Sequence, residues 1–392
     1  MVLQSVDPNE QFRLRREWTR RRKRRRRLVA IGVLLAGGAA GAAGVLVAGG
    51  SSSRPAPVAR KRLSTPAAFA LARPRPLPYE IRGVHVTMAL ASLPGKLESY
   101  LAVPGLNTVE LDVKDESGRV AFVGAAPPLA RATGASGRFY DPRVAVRLAR
   151  KHGDYLIGRV VVFEDPVLSE KRPALAIRTR DGGVWHNRGG LGWTNPYDER
   201  VWKYAVDVGA AAAQAGFDEI QFDYVRFPSD GDLSTAVFPG RRAELQAKTI
   251  ARFAAYAARR LHPLKVRVSL DVFGLSATRD LGIGQTPRRL ARYVDALYPM
   301  VYPSHYSAGE YSIPDPNAAP GSTVARSLRD FNRQLRGRRA KVIPWLQDFS
   351  LGRTYTIADV REQIAAAREN HTAGFMLWNA GGVYTDGALS AP

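Results

Sequence analysis

The stretch EIQFDYVRFP, residues 219–228, decides the fold. It is rich in apolar and aromatic side chains, as a parallel strand covered on both faces should be. The alternation of a strand places Gln221, Asp223 and Val225 on one face and the intervening aromatic residues on the other. Helix-forming segments precede and follow it. The stretch therefore predicts a strand over Glu219–Phe227 in an α/β protein, with a carboxylate on one face.

Similar runs recur along the chain from Ile81 onward and alternate with helical segments. Counting both kinds gives eight β/α alternations, which predict a (β/α)₈ TIM barrel. A doubly wound open sheet is the alternative, but Gly83-Val84-His85 is no Gly-rich phosphate loop. The eight predicted strands are Arg82–Thr87, Thr108–Lys114, Tyr155–Phe163, Glu219–Phe227, Lys265–Phe273, Ala296–Tyr302, Lys341–Leu346 and Gly374–Trp378.

Capping residues support the helices between these strands. Asn195 is predicted to cap the clearest one, and Thr356 and Asp359 form a capping box for the last. Few residues follow Trp378, so either the eighth helix is very short or the preceding linker closes that side of the barrel. The predicted helices are Asp141–His152, Pro196–Ala215, Ala243–Leu261, Thr286–Val294 and 356–370.

The N-terminal region predicts a membrane segment. An unbroken basic run, Arg20–Arg27, precedes Leu28–Ala48, twenty-one residues without a charge. At about 1.5 Å per residue this length crosses a hydrocarbon core of about 30 Å. The basic flank holds the N-terminus in the cytoplasm. We favour an uncleaved signal anchor over a cleaved signal of the twin-arginine type, and both place the barrel outside the cytoplasm.

Charge and composition divide the chain into four parts. The predicted parts are a basic cytoplasmic tail (1–27), a transmembrane signal anchor (28–48), a Pro/Ala/Arg-rich linker (49–78) and the barrel domain (79–392). Eleven basic and three acidic residues fall in 1–27, and six basic residues and no acid in 51–78, so residues 79–392 carry only +9 of the net +23. This distribution argues against a nucleic-acid partner.

Several chemistries are excluded or disfavoured by residue types. The chain has no cysteine, so disulfides, thiolate catalysis and zinc–thiolate sites are excluded. The spacing of His85, His186 and His305 matches no metal motif, and no Gly-x-Ser-x-Gly elbow indicates an esterase. We predict no cofactor and no catalytic metal.

Polar residues gather where the predicted strands end, the edge that carries the active site in such barrels. Glycoside hydrolysis needs two carboxyl groups, one as acid and one as nucleophile or base. Asp223 is predicted as the nucleophile or base, ionised by Arg226, although a purely structural Asp–Arg pair remains an alternative. Asp271, at the end of the next strand, is predicted as the acid, with Glu164 and Asp165 also candidates.

Aromatic and polar residues near these ends suit a sugar ring, whose C–H faces stack on aromatic side chains. The long loop Glu164–Thr194, with a hairpin around Asp181-Gly182-Gly183, is predicted to shape the binding site. The candidate aromatics are Trp185, Trp193, Tyr197, Tyr298, Tyr302, Tyr306, Trp345 and Trp378. The predicted substrate-binding residues are His85, Asp112, Lys114, Asp165, Arg226, Tyr302, Gln347, Trp378 and Asn379.

Four short motifs resemble one family. Residues 223–228 (DYVRFP), with 82–87, 107–114 and 298–303, resemble a bacterial family of "putative glycosyl hydrolase" domains first catalogued as a domain of unknown function. The likeness spans roughly residues 80–384. It implies a TIM barrel distantly akin to α-amylase-like glycosidases, with the nucleophilic Asp of strand four at Asp223. Those enzymes take their acid from strand five as a Glu, where this chain has Asp271.

These observations predict a glycoside hydrolase that cleaves a cell-wall or extracellular polysaccharide by a two-carboxylate mechanism. A non-catalytic glycan- or peptidoglycan-binding barrel of the cell envelope is the alternative, because it would keep the aromatics without needing both carboxylates. A metal-dependent hydrolase is a third possibility. The expected partners are the polysaccharide and the membrane.

Overall fold

The computed structural model describes residues 74–241 and 244–390. Its strands form one sheet in which every neighbouring pair is parallel. In chain order the strands are β1 (Ile81–Val86), β2 (Thr108–Lys114), β3 (Tyr155–Val161), β4 (Glu219–Asp223), β5 (Arg267–Phe273), β6 (Ala296–Met300), β7 (Lys341–Val342), β8 (Trp345–Gln347) and β9 (Gly374–Trp378).

The sheet closes on itself as an eight-position barrel. Strand β1 pairs with β2 and with β9, and β5 pairs with β6. The short strands β7 and β8 both pair with β6 and share one position, interrupted at Ile343 and Pro344. Pro344 has no N–H for the ladder, but its carbonyl accepts from the Met376 N–H at 2.9 Å. The predicted (β/α)₈ barrel is confirmed.

Helices surround the barrel and create two cores. Apolar side chains between strands and helices form a large outer core, and a smaller inner core that includes Ile81, Tyr155 and Trp345 fills the barrel. The helices are α1 (Met88–Ala91), α2 (Lys96–Leu101), α3 (Pro128–Ala132), α4 (Pro142–His152), α5 (Pro166–Lys171), α6 (Glu199–Ala215), α7 (Gln246–Leu261), α8 (Pro287–Leu290), α9 (Pro320–Leu335) and α10 (Ile357–Glu369).

Strand β4 is shorter than the sequence predicts. It ends at Asp223 rather than Phe227, because Tyr224 adopts a left-handed backbone conformation with φ 52°. The chain then leaves the sheet, and the Phe227 N–H donates to the Ile283 carbonyl at 2.9 Å. The early turn leaves Asp223 as the last residue of the strand, at the open end of the barrel.

Helix boundaries also differ in places. Asp198, not Asn195, caps α6, and its side chain accepts from the Arg200 N–H. Asn195 instead accepts from the Tyr197 N–H within the preceding turn. The predicted helix Thr286–Val294 is reduced to the single turn α8. The capping box at the start of α10 is confirmed.

The chain after β9 forms no helix as far as residue 390, the last one described. It packs against the barrel, with Ala388 and Leu389 buried. The Tyr384 hydroxyl accepts from the His85 N–H at 3.0 Å and donates to the His85 carbonyl at 2.6 Å. This irregular segment takes the place of an eighth helix.

The predicted transmembrane segment, 28–48, lies outside the described residues, as do the basic tail and most of the linker. Within 74–241 and 244–390, no helix is both long and apolar enough to cross a membrane.

Candidate active site

A cavity of about 540 Å³ opens at the carboxyl ends of the strands. Asp223 ends β4 in its wall, and Asp271 lies near the end of the neighbouring strand β5. The other lining residues are Arg159, Tyr224, Arg226, Ser229, Phe273, Gly274, Leu275, Leu281, Ile283, Gln285, Met300, Tyr302, His305, Tyr306, Trp345 and Trp378.

Asp223 is held by two sets of donors. Its Oδ2 accepts from Nε and Nη2 of Arg159, at 3.0 and 2.7 Å, and its Oδ1 accepts from the Tyr224 N–H at 2.6 Å. The left-handed turn at Tyr224 brings that N–H back to the carboxylate. Both oxygens are thus fixed, and the cation of Arg159 neutralises the carboxylate charge.

Arg159 bridges two buried carboxylates and also contacts Glu116, whose Oε2 lies 3.5 Å from its Nη1. Its Nη1 donates to Asp112 Oδ1 at 2.8 Å while its other nitrogens bind Asp223. The side chain is only 4% exposed, and its Cζ lies 5.7 Å from the ring of Trp378. The predicted pairing of Asp223 with Arg226 is therefore wrong, because Arg159 from the adjacent strand β3 takes that place.

Asp271 is more deeply buried than Asp223. Its Oδ1 accepts from Gln221 Nε2 at 2.5 Å and from Trp345 Nε1 at 2.7 Å. Burial first, and then the negative charges of Asp223 and Glu110, raise the pKa of Asp271 well above its usual value. Asp271 therefore favours the protonated form.

A second buried group of charges lies beside Arg159. Nδ1 of His85 is 2.6 Å from Glu110 Oε2, and its Nε2 is 3.7 Å from Asp112 Oδ1. Burial lowers the pKa of His85, but the carboxylates of Asp112 and Glu110 outweigh it and the pKa is raised. The ring of His85 stacks on Trp378 with centroids 4.6 Å apart. His85 and Asp112 thus support the cavity wall without lining it.

Two other predicted binding residues pair with each other away from the cavity. Lys114 Nζ lies 2.9 Å from Asp165 Oδ2 and donates to the Val161 carbonyl at 2.7 Å. Asp165 also caps α5 by accepting from the Leu168 N–H at 2.8 Å. Both side chains are buried, so their contacts are with the protein rather than with the cavity.

Gln347 and Asn379 also make internal contacts. Gln347 accepts from the Ser304 N–H at 3.1 Å and donates to the Phe349 carbonyl at 2.9 Å. Asn379 donates to the Asp348 carbonyl and accepts from the Gly381 N–H. These two residues shape loops beside the cavity and lie outside its lining.

Half of the candidate aromatics reach the cavity. Tyr302, Tyr306, Trp345 and Trp378 line it, and Trp193 lies behind it against Arg226. The remaining three, Trp185, Tyr197 and Tyr298, are buried in the two cores. Trp378 meets Trp345 at a near-perpendicular 85°.

The long loop after β3 folds back on itself as predicted. Arg178 and Val184 face each other across a turn in which the Gly182 N–H donates to the Thr179 carbonyl. Glu164, at the start of the loop, accepts from Asn187 Nδ2 at 3.0 Å. Burial raises the pKa of Glu164 to about 7, partly offset by Arg226. Glu164 is outside the cavity lining.

The three histidines considered for a metal lie in different surroundings. His186 contacts Glu170 on the surface, His305 lines the cavity, and His85 lies beneath Trp378. In the described ranges, no group of three or more His, Asp or Glu side chains is arranged to hold a metal ion.

The sequence reasoning missed Arg159 and Glu110 as members of the site. Arg159 is the single charged residue in the otherwise apolar residues 155–161, whereas Glu110 shares residues 108–114 with Asp112 and Lys114. For Arg159 the available signal was the one that identified Asp223, a charged residue in an otherwise apolar strand. Glu110 was passed over because it lies two residues before the Asp112 at the strand end.

The fold and cavity define a glycosyl hydrolase-like (β/α)₈ barrel. Residues 83–384 match the family described as "Putative glycosyl hydrolase domain". This match covers most of the chain, and the chain belongs to that family, as the motifs predicted. No curated protein matches the chain.

Solved structures that are similar to this chain include glycoside hydrolase domains. The PgaB (BpsB) glycoside hydrolase domain from Bordetella bronchiseptica is 14% identical, with a TM-score of 0.56 over 77% of this chain and 95% of its own. A hypothetical protein from Ruminiclostridium thermocellum is 31% identical, with a TM-score of 0.43 over 48% of this chain and 97% of its own. The glycoside hydrolase domain of PelA from Pseudomonas aeruginosa is 11% identical, with a TM-score of 0.47 over 78% and 96%.

Proposed function

We propose that the barrel is a glycoside hydrolase that cleaves glycosidic bonds of a cell-wall or extracellular polysaccharide. The observation that carries the proposal is the pair of unlike carboxyl groups in one cavity wall. Asp223 is held against a cation, and burial raises the pKa of Asp271 well above its usual value. Two carboxyl groups with opposite protonation are what glycoside hydrolysis requires.

In this mechanism Asp223 acts on the anomeric carbon. Its carboxylate either attacks that carbon directly or removes a proton from an attacking water. Arg159 and the Tyr224 N–H fix both oxygens, so the carboxylate needs little reorganisation to react. Arg159 is a positioning residue, because it acts through Asp223.

Asp271 supplies the proton in the same step. Its protonated carboxyl group donates to the glycosidic oxygen as the C–O bond breaks, so that the sugar leaves as a neutral alcohol. Gln221 and Trp345 hold the other oxygen of Asp271 and fix the direction of the carboxyl group. The proton returns from the water that completes hydrolysis.

Three of the predicted binding residues lie where a sugar would bind. Trp378 and Tyr302 offer aromatic surface, and Arg226 offers hydrogen-bond donors. Apolar side chains such as Leu281 and Met300 line the same cavity, which suits the C–H faces of pyranose rings. His85 and Asp112 hold this wall in place from behind.

The family match and the fold shared with the PgaB glycoside hydrolase domain support the same reaction class. The compartment is inferred from the sequence alone. The apolar segment 28–48 and its basic flank support a barrel anchored outside the cytoplasm, where cell-wall and exported polysaccharides lie.

The test is reducing-end release from a panel of polysaccharides, including cell wall, by the purified full chain. Asp223→Asn and Asp271→Asn are run beside it, with folding checked by circular dichroism. Release by the wild type that is lost in both variants supports a two-carboxylate glycosidase. Saturable binding without release, unchanged in both variants, would identify a glycan-binding barrel and refute the catalytic proposal.

A further inference from the structure

Arg226 occupies the cavity wall in an aromatic setting. Its Cζ lies 4.9 Å from the ring centroid of Trp193, 5.1 Å from that of Tyr224 and 5.0 Å from that of Phe273. The residue is 7% exposed. Aromatic rings attract a guanidinium ion through their faces without using its N–H donors. The rings therefore fix Arg226 and leave its N–H groups available.

The polar contacts of Arg226 are all neutral. Its Nη1 donates to the Phe227 carbonyl and to Ser229 Oγ, both at 3.1 Å, and Nε and Nη2 donate to no described residue. No carboxylate of the described chain lies within 4.0 Å of it. Arg159 and Lys114, the other buried cations at this end, each have a carboxylate within 2.9 Å. Arg226 is thus a buried cation that lacks a counter-ion among the described residues, an arrangement that costs free energy unless an anion enters.

The other titratable lining residues are paired with other groups or favour their neutral forms. Asp223 pairs with Arg159, which it shares with Asp112, and burial raises the pKa of Asp271 well above its usual value. Burial lowers the pKa of His305, which favours its neutral form. Glu164 lies near enough for Arg226 to lower its pKa, but burial dominates and raises that pKa to about 7. Of the two arginines among the described lining residues, Arg159 contacts carboxylates directly and Arg226 does not.

We propose that Arg226 binds a carboxylate carried by the substrate, so that the domain acts on an acidic glycan. The planar guanidinium group matches a carboxylate with two parallel hydrogen bonds. Two sources share this chemistry, the C6 carboxylate of a uronic acid and the lactyl ether of a cell-wall amino sugar. This inference rests on the proposed function for the identity of the site, and it adds the class of sugar.

Two matched pairs of oligosaccharides test the inference by isothermal titration. The first is an oligogalacturonate and its carboxyl-reduced form. The second is a peptide-free peptidoglycan glycan strand and a chitin oligosaccharide of equal length, which differ by the lactyl ether. The full chain carries Asp271→Asn, which should slow turnover strongly and keeps the neutral charge that the raised pKa of Asp271 favours. Arg226→Met and Arg226→Lys are compared in this background.

We expect the acidic member of one pair to bind about tenfold more tightly or better, the size of one charge-assisted interaction. Arg226→Met should remove the preference and Arg226→Lys should keep part of it, because the loss of affinity should be larger for the acidic member than for the neutral member. Arg333→Gln, which changes an arginine with a 70% exposed side chain on α9, is the matched control and should change nothing.

If the chain with Arg226 unchanged bound both members of each pair with equal affinity, the inference would be overturned, and the Arg226 variants would not be needed. A preference that survives in a folded Arg226→Met protein would also overturn it. The outcome is separable from the proposed function, because binding is measured without turnover. A clear acidic preference in a chain that cleaves neither oligosaccharide nor any polysaccharide would leave the inference standing and refute the hydrolase.

Discussion

Glu219 and Asp223 are two buried carboxyl groups on the same face of strand β4, at opposite ends of it. Glu219 is 1% exposed and accepts from Ser269 Oγ at 2.5 Å and Tyr155 Oη at 3.0 Å. Asp223 is 8% exposed, pairs with Arg159 and lines the cavity. Glu219 is thus enclosed by hydroxyl groups, whereas Asp223 contacts the cation of Arg159 and faces the cavity.

The difference teaches that burial does not by itself mark a catalytic carboxyl group. Burial raises the pKa of Glu219 as it does that of Asp271. Glu219, however, accepts a hydrogen bond from Tyr155 of the inner core and is not among the residues that line the 540 Å³ cavity. Asp223, at the open end of the barrel, differs from Glu219 in two features: it lines a cavity and it has a fixed charged partner. Substitutions can change these features one at a time.

The largest effect is expected at Asp223. Asp223→Asn keeps the shape but removes the nucleophile or base, and kcat should fall by a factor on the order of 10⁴. Steady-state hydrolysis of the polysaccharide that the wild type cleaves measures this loss. A folded variant that keeps more than a tenth of kcat would contradict the assignment.

Asp271→Asn is expected to reduce kcat by about 10²–10⁴-fold, because the leaving oxygen loses its proton donor. The wild type requires Asp271 protonated, so kcat/KM should decline as the pH rises through the raised pKa of this group. The residual activity of the variant should lack that alkaline decline.

Glu164 provides the control for this pH dependence, because its pKa is raised to about 7 and it lies outside the cavity lining. Glu164→Gln should retain the alkaline decline at an unchanged pH. If the alkaline decline of kcat/KM disappeared in Glu164→Gln and persisted in Asp271→Asn, then Glu164, not Asp271, would be the acid.

Arg159 is expected to affect stability as well as rate. Arg159→Met leaves Asp112 and Asp223 buried without their cation, which should lower the free energy of unfolding by about 3–5 kcal/mol. Arg159→Lys keeps the charge but cannot bridge both carboxylates, so a smaller loss is expected. Urea unfolding compares the two, and equal stability of all three proteins would refute the bridge.

The smallest effect is expected at Glu219. Glu219→Gln keeps the shape and one acceptor oxygen for the hydroxyls, so the free energy of unfolding should fall by about 1 kcal/mol. Its kcat should equal that of the wild type. A loss of turnover comparable to that of Asp223→Asn, in a protein of similar stability, would show that the two ends of the barrel are not functionally distinct.

The sequence predicted the barrel well, because the alternation of strands and helices is a pattern of whole segments and does not depend on any single contact. The limits of β2 and β9 match the prediction, because an apolar run bounded by turns can be read directly from the sequence. The end of β4 was missed, because the left-handed backbone of Tyr224 has no signature in a non-glycine residue. A backbone torsion of this kind is set by the surrounding contacts.

The site was predicted only in part because its contacts cross between strands. Asp223 and Asp271 lie at one cavity, as their positions at strand ends implied. Lys114 and Asp165 satisfied the same rule, yet they pair with each other in the interior. Position at a strand end cannot distinguish a side chain that faces the cavity from one that packs behind it, and only the fold supplies the partner Arg159.

Chemical rescue of Asp223→Ala tests the central claim most directly. A small anion such as formate or azide can enter the space that the carboxylate leaves and act in its place. We predict that turnover by the full chain returns as the anion concentration rises, and that Glu219→Ala shows no such dependence. Turnover at the wild-type rate without the anion, or rescue only in Glu219→Ala, would contradict the claim that Asp223 carries out the chemistry.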